Sequence, residues 1–241
     1  MKMTKYLWMG LLLIAGSGFS QEAKKTSTEI SPEDFEEPPS WDVTCEVFSL
    51  PLSQAAKLKR ARKTDAQDYA ELIRRVESGK VTQEEFLMLR SVEGANTTLE
   101  EISEMIYATE FEPPELPNEI GNLSEDIEKA KMLVTPATPT SFDTKKVGST
   151  IEVELNVDEE GTVHMRSSLS LVRYLGKQVW GQGLAEAESP RFSVQRVMTF
   201  LKLKPDSATL MGSISPPEAL QPKGGEKRVW LAYMTVSKSK D

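Results

Sequence analysis

The chain of 241 residues is 39% hydrophobic and 27% charged, the composition of an ordinary globular protein, and it is long enough for one large domain or two small ones. Its formal net charge is −8, or about −10 without the first 20 residues and their two lysines, which argues against nucleic acid as a partner. Cys45 is the only cysteine, so no intramolecular disulfide can form and the fold must rest on its core.

The start, MKMTKYLWMGLLLIAGSGFSQE, places Lys2 and Lys5 before an apolar run from Tyr6 to about Ala15, followed by the small residues Gly16, Ser17, Gly18 and Ser20. This layout predicts a secretory signal peptide over residues 1–20, cut after Ser20 or Ser17. No cysteine follows the run to take a lipid, and no later segment reaches about 18 apolar residues, so no transmembrane span is expected once the signal is removed. Residues 21–39 are polar, acidic and proline-containing, a flexible acidic leader.

Folding is expected to begin near Trp41. Trp41, Val43, Cys45 and Val47 alternate with Asp42, Thr44 and Glu46 at strand period, and Pro51 closes the strand. Cys45 on such a strand is a buried, inert thiol. Ser53 can cap a short helix, and Asp65 a second one carrying Ala66, Tyr69, Leu72, Ile73 and Val76 before Gly79 stops it. The basic run KLKRARK between them reads as a solvated helix face. In VTQEEFLMLRSVEGANTTLEEI, Thr82 to Glu85 fits a capping box, and the remainder fits a hairpin about the Glu93-Gly94-Ala95-Asn96 turn. A turn of helix followed by a hairpin is predicted.

From Ser91 to Glu128 there are 11 acidic residues and no Lys or Arg. Glu and Pro cluster from residue 110 to about 139, which predicts an extended, exposed acidic insertion, with a helix capped by Ser124 inside it. Beyond it, Ile151, Val153, Leu155 and Val157 share one face, Asp158 to Gly161 turn, and Val163, Met165, Leu169 and Leu171 resume. Val194, Val197, Thr199, Leu201 and Leu203 predict a third strand with a bulge near Arg196. After the turn at KPDS come Ala208, Leu210 and Gly212, and RVWLAYMTV forms a last strand, apolar on both faces and so central or covered on both sides.

Chemistry is sparse. His164, the only histidine, lies in the polar phase of a strand, which leaves no histidine dyad, triad or histidine-based metal site. There is no phosphate loop, no dinucleotide fingerprint and no Gly-x-Ser-x-Gly, and the acids lack calcium-loop spacing. No catalytic, cofactor-binding or metal-ligating residue is assigned, and no cofactor is expected. Asn96-Thr97-Thr98 and Asn122-Leu123-Ser124 match the glycosylation pattern, which matters only in a eukaryotic secretory route.

The order of elements from about Trp41 to Val236 resembles the secretin domain, the part of bacterial secretion and pilus channels that oligomerises into a β-walled ring. DVTCEVFSL is similar to that family's opening strand, and DAQDYAELIRRVESGKVTQEEFLMLRSVEGANTTLEE to its helix, strand, Gly-Ala turn and strand. FDTKKVGSTIEVELNVDEEGTVHMRSSLSL is similar to its glycine-led hairpin, with Gly148 in the glycine's place. PRFSVQRVMTFLKLKPDSATLMGSI resembles its Pro, aromatic, Arg, strand, turn and Gly-containing strand, through Pro190, Phe192, Gln195 with Arg196, and Gly212. The chain departs from the family where paired glycines become Gly212-Ser213, where the gate and lip segment shrinks to SPPEALQPKGGEK, and where the N-terminal ring-building modules would stand.

The resemblance implies an α+β fold with a mostly antiparallel β core over residues 40–236, two or three helices near the N-terminal strand, and a polar tail at 237–241. It implies a non-enzymatic, exported protein of the cell envelope, periplasmic or outer, working through protein contacts: self-association or a secretion or pilus component. Two other readings stand beside it, a monomeric binding module using the acidic loop, and a secreted hydrolase built on two carboxylates about 5 to 9 Å apart.

Overall fold

Period-two alternation becomes eight antiparallel strands, seen in a computed structural model that describes residues 38–115 and 135–240. The signal peptide, nearly all of the leader and the Ser124 helix lie outside the described residues. In order, the elements are β1 (Ser40–Pro51), α1 (Leu52–Arg60), α2 (Asp65–Glu77), β2 (Thr82–Val92), β3 (Asn96–Glu112), β4 (Thr138–Val157), β5 (Val163–Trp180), β6 (Ala187–Leu203), β7 (Thr209–Ile214) and β8 (Arg228–Lys238). The fold is α+β with a mostly antiparallel β core.

The strands form two four-stranded sheets, one in the order β2-β1-β8-β7 and the other β3-β4-β5-β6. Trp41, Val43, Cys45, Val47, Trp230, Ala232 and Met234 of the first face Ile151, Val153, Leu155, Met165, Leu169 and Leu171 of the second across one apolar layer. β8 is central and apolar on both faces, as its sequence predicts. Its other face carries Val229, Leu231 and Tyr233 against the helices, in a second core with Phe48, Leu50, Leu58 and Leu72. A buried Leu or Phe contributes about 1.5–3 kcal/mol, so these two layers supply most of the stabilisation.

The helices differ from expectation at their caps. α1 starts after Pro51, which sets φ and has no N–H to satisfy, and Ser53 lies inside the helix with its amide donating to Glu226 Oε1 at 2.7 Å. Thr64, one residue before Asp65, caps α2 in a capping box with Gln67. Asp65 instead reaches forward to accept the Leu210 amide at 3.0 Å, tying α2 to β7. KLKRARK is not only a solvated face, because Lys59 donates at 2.9 Å to both Asp65 and the fully buried Asp68. Burial alone would lower the Lys59 ammonium, but these bonds outweigh it and hold it above the usual lysine value.

The expected turn of helix at Thr82 to Glu85 is strand, because Gln83 and Glu85 are claimed by distant partners: Gln83 donates to Glu46 of the neighbouring strand β1 at 2.9 Å, and Glu85 pairs with Arg173 of the other sheet. The expected hairpin around Gly94 and the turn at KPDS are both corners between sheets. β2 and β3 lie in different sheets, as do β6 and β7. Gly94 (φ 75°) and Asp206 (φ 59°) take the left-handed conformation that lets the chain step from one sheet to the other. The bulge expected near Arg196 is absent. The register between β5 and β6 runs unbroken there and shifts instead between Tyr174 and Lys177, at Gly176 (φ 95°), which leaves Val194 outward and 49% exposed. The acidic insertion is shorter than expected, since pairing of β3 with β4 runs out to Glu112 and Thr138.

One buried thiol, one buried tyrosine and the partly buried Asp65 set the pH limits. Burial, with Glu46 beside it, pushes the Cys45 thiol up to about 12, and burial pushes the Tyr233 hydroxyl up to about 12. Groups with raised folded values stabilise the fold below their unfolded values and lose that contribution as pH climbs. Asp65 has the opposite sign: the Leu210 amide and Lys59 outweigh its burial and hold it below the usual carboxylate range. Stability is therefore expected to be flat near neutrality, to fall below about pH 4 and to fall again above about pH 9; a urea midpoint measured across pH checks both limbs. At pH 8 the native thiol is expected to ignore a disulfide reagent that labels it at once in denaturant.

Candidate interaction surface

The feature that sets this fold apart from a plain sandwich is the length of its second sheet. β3 to β6 run 17, 20, 18 and 17 residues, against 11 or 12 for β1, β2 and β8. β4 and β5 pair only from Gly148 and Val172 inward. Beyond that point β3–β4 and β5–β6 continue as two separate ribbons, paired out to Glu112–Thr138 and Trp180–Ala187. The ribbons meet through Tyr107, whose ring lies 5.6 Å from Phe192, and near their tips through the Ala137 amide, which donates to the Leu184 carbonyl at 2.9 Å.

The fork is built from two devices. Gly148 (φ 142°) stands where β4 parts from β5, and a Cβ there would lie 2.0 Å from the Glu101 carbonyl oxygen. Next to it, Arg173 of β5 pairs with Glu85 of β2, while Ser149 of β4 donates to the same carboxylate at 2.9 Å. Glu85 is 10% exposed and Arg173 27%, so this ion pair is the polar plug at the open end of the sandwich.

Among the described residues, the second sheet's two outer strands, β3 and β6, have no partner in the sheet on their far sides. Pro190 sits within β6 opposite Lys177, which an edge strand tolerates. Pro139 does the same in β4, on the stretch where that strand has a single partner. Counting by alternation, the sheet face turned away from the core carries Glu100 and Glu104 on β3 and Glu152 and Glu154 on β4. The same face carries Arg166 on β5 and Arg196 and Lys202 on β6, with Met198 and Phe200 71% and 62% exposed. The β3–β4 half also holds Lys146, paired with Glu100 at 3.1 Å, but its acids outnumber that cation, while the β5–β6 half is basic and apolar.

The residues examined for chemistry do not assemble into a reactive centre. His164 Nε2 meets Asp158 Oδ2 at 3.0 Å, but Asp158 also takes the Thr162 and Glu160 amides, so the pair closes the β4–β5 turn. The His164 contact and the turn amides hold the Asp158 carboxyl below the usual range. Cys45 is fully buried, and Asn96 opens β3. Among the described residues no group of three or more His, Cys, Asp or Glu is placed to hold a metal ion, and no helix is long and apolar enough to cross a membrane.

No family model and no curated protein matches the sequence. The likeness found is to the folds of solved secretins. The chain is similar to the type II secretin GspD of enteropathogenic Escherichia coli at 11% identity and a TM-score of 0.42, covering 86% of this chain and 71% of that one. It is similar to the InvG secretin domain of the Salmonella injectisome (10%, TM-score 0.40, 84% and 62%). It is also similar to the type IV competence pilus secretin PilQ of V. cholerae (10%, TM-score 0.38, 87% and 63%). The likeness is one of fold, to secretin domains, and the chain spans less than two thirds of the last two.

Proposed function

We propose that this is an exported, non-enzymatic component of a Gram-negative-type cell envelope, acting by side-by-side self-association as a structural or accessory part of a secretion or pilus assembly. The observation that carries the reading is the pair of long free edges on β3 and β6. Four antiparallel strands are an even number, so the two edges run in opposite directions. A second copy related by rotation about an axis along the strands therefore brings its β3 against the first copy's β6 as a regular antiparallel pair. Such a head-to-tail contact sets the acidic half of one outward face beside the basic half of the next, and it repeats until the rotation closes a ring. The two edges meet each other toward the ribbons, where Tyr107 packs on Phe192, so the stretches open to a second copy are the inner ones, and unpaired edges there are otherwise a liability that proteins cover.

Charge reversal tests the contact. Arg196→Glu with Lys202→Glu, and separately Glu100→Lys with Glu104→Lys, are each expected to abolish assembly in sedimentation, and an equimolar mixture of the two variants is expected to restore it. Two variants that both remain assembled, or a mixture that stays dissociated, would rule out this pairing.

A further inference from the structure

The helix pair is a basic island in an acidic chain. Between Lys57 and Lys80 there are eight Lys and Arg against four Asp and Glu. Four of those cations, Lys57 of α1, Arg74 and Arg75 of α2, and Lys80 just beyond it, line one groove of about 570 Å³ between the helices, with Glu71 as the only acid. That volume is within the usual range for small-ligand sites, about 300–1,000 Å³.

The groove is ordered by its own hydrogen bonds. Arg75 is held between Glu71 and Gln54, reaching Gln54 Oε1 at 3.4 Å, and the second Glu71 oxygen accepts from Lys63 at 2.9 Å. Those bonds hold the Glu71 carboxyl below the usual range, so its charge is spent on positioning two cations. Arg74 is oriented by its Nε, which donates to the Ala70 carbonyl at 3.2 Å, leaving the outer guanidinium N–H groups directed away from that bond. Among the described residues, Lys57, Arg74 and Lys80 have no carboxylate within ion-pair distance. Lys57, Arg74 and Arg75 stand in the last turns of their helices, where cations complement the helix dipole. Lys80 lies outside both helices and has no such role.

We propose that the α1–α2 groove binds a compact polyanion of the phosphate class, about the size of a diphosphate. Four cations against one acid leave a local charge of about +3, which a single carboxylate would not neutralise and a diphosphate would; guanidinium forks match phosphate oxygens in pairs.

The test is titration of the purified protein with sodium diphosphate at constant ionic strength, followed by calorimetry, for the parent chain and for Lys80→Gln and Arg74→Gln. The parent is expected to bind, and each variant to bind about tenfold or more weakly, the effect of losing one charge-assisted hydrogen bond. Lys80→Gln, outside the helices, is expected to keep the parent melting temperature. Vesicles with phosphatidylglycerol separate two sources of the same chemistry: variant-sensitive vesicle binding assigns a lipid headgroup, and binding of free diphosphate alone assigns a soluble ligand. Neither ligand binding, or both variants binding as the parent does, would overturn the proposal; a lower melting temperature of Arg74→Gln would then mark its cation as a dipole complement.

Discussion

Replacing Gly148 with alanine is expected to cost about 3 kcal/mol or more of folding stability, read as a lower urea midpoint. Two costs add. The φ of 142° is one that a residue with a Cβ rarely adopts, and that Cβ would sit 2.0 Å from the Glu101 carbonyl oxygen and 2.9 Å from Ile102 Cα. Both contacts are backbone of the paired strand β3, so neither can swing aside without opening the β3–β4 ladder where the ribbons diverge. Gly212 supplies the internal control. It has no positive φ, and its added Cβ would meet Val197 Cγ1 at 3.4 Å, ordinary contact with a side chain. Gly212→Ala is expected to change stability by no more than about 1 kcal/mol. Equal losses at the two glycines would remove Gly148 from its place as the pivot of the fork.

Arg173→Ala is expected to destabilise by about 2–3 kcal/mol, below the full cost of breaking a buried pair because Arg173 is partly exposed. The loss is not that of a contact alone: Glu85, 10% exposed, would keep its charge and lose its cation, with only Ser149 left to donate to it. The double variant Glu85→Met/Arg173→Met removes both charges and is expected to recover most of the loss, since well-packed apolar replacements of buried pairs are often neutral. A double variant as unstable as the single one would mean that the arginine stem, rather than charge compensation, closes this end of the sandwich.

Most of the strands were legible because alternation reports which side chains face a core. Trp41, Val43, Cys45 and Val47, or Ile151, Val153 and Leu155, declare their face without help from any partner. Alternation does not say which strand lies alongside. The Gly94 and Asp206 turns join strands of different sheets, and a tight turn between two alternating runs reads identically whether the runs pair or part. Capping at Thr82 to Glu85 was misread for a similar reason: the acceptor that looked like a helix cap is the partner of Arg173, 88 positions later in the chain, and local sequence carries no trace of it. The ribbons were harder still. Residues such as Ile106 and Phe142 are exposed although apolar, so neither face there shows the buried phase that marks a strand. Gly148 was visible only through the secretin resemblance, which placed a glycine before the hairpin without giving its reason; the close approach of Glu101 supplies it.

The free edges of β3 and β6 are the centre of this account, and the mass of the protein in solution tests them most directly. Light scattering on a size-exclusion column without detergent, over a range of concentration and salt, is expected to give one discrete assembly of many copies that weakens as salt screens the facing acidic and basic halves. A monomer at every concentration would contradict the account: the edges would then be closed in solution without a second copy, and the acidic β3–β4 connection would become the first place to look for a partner.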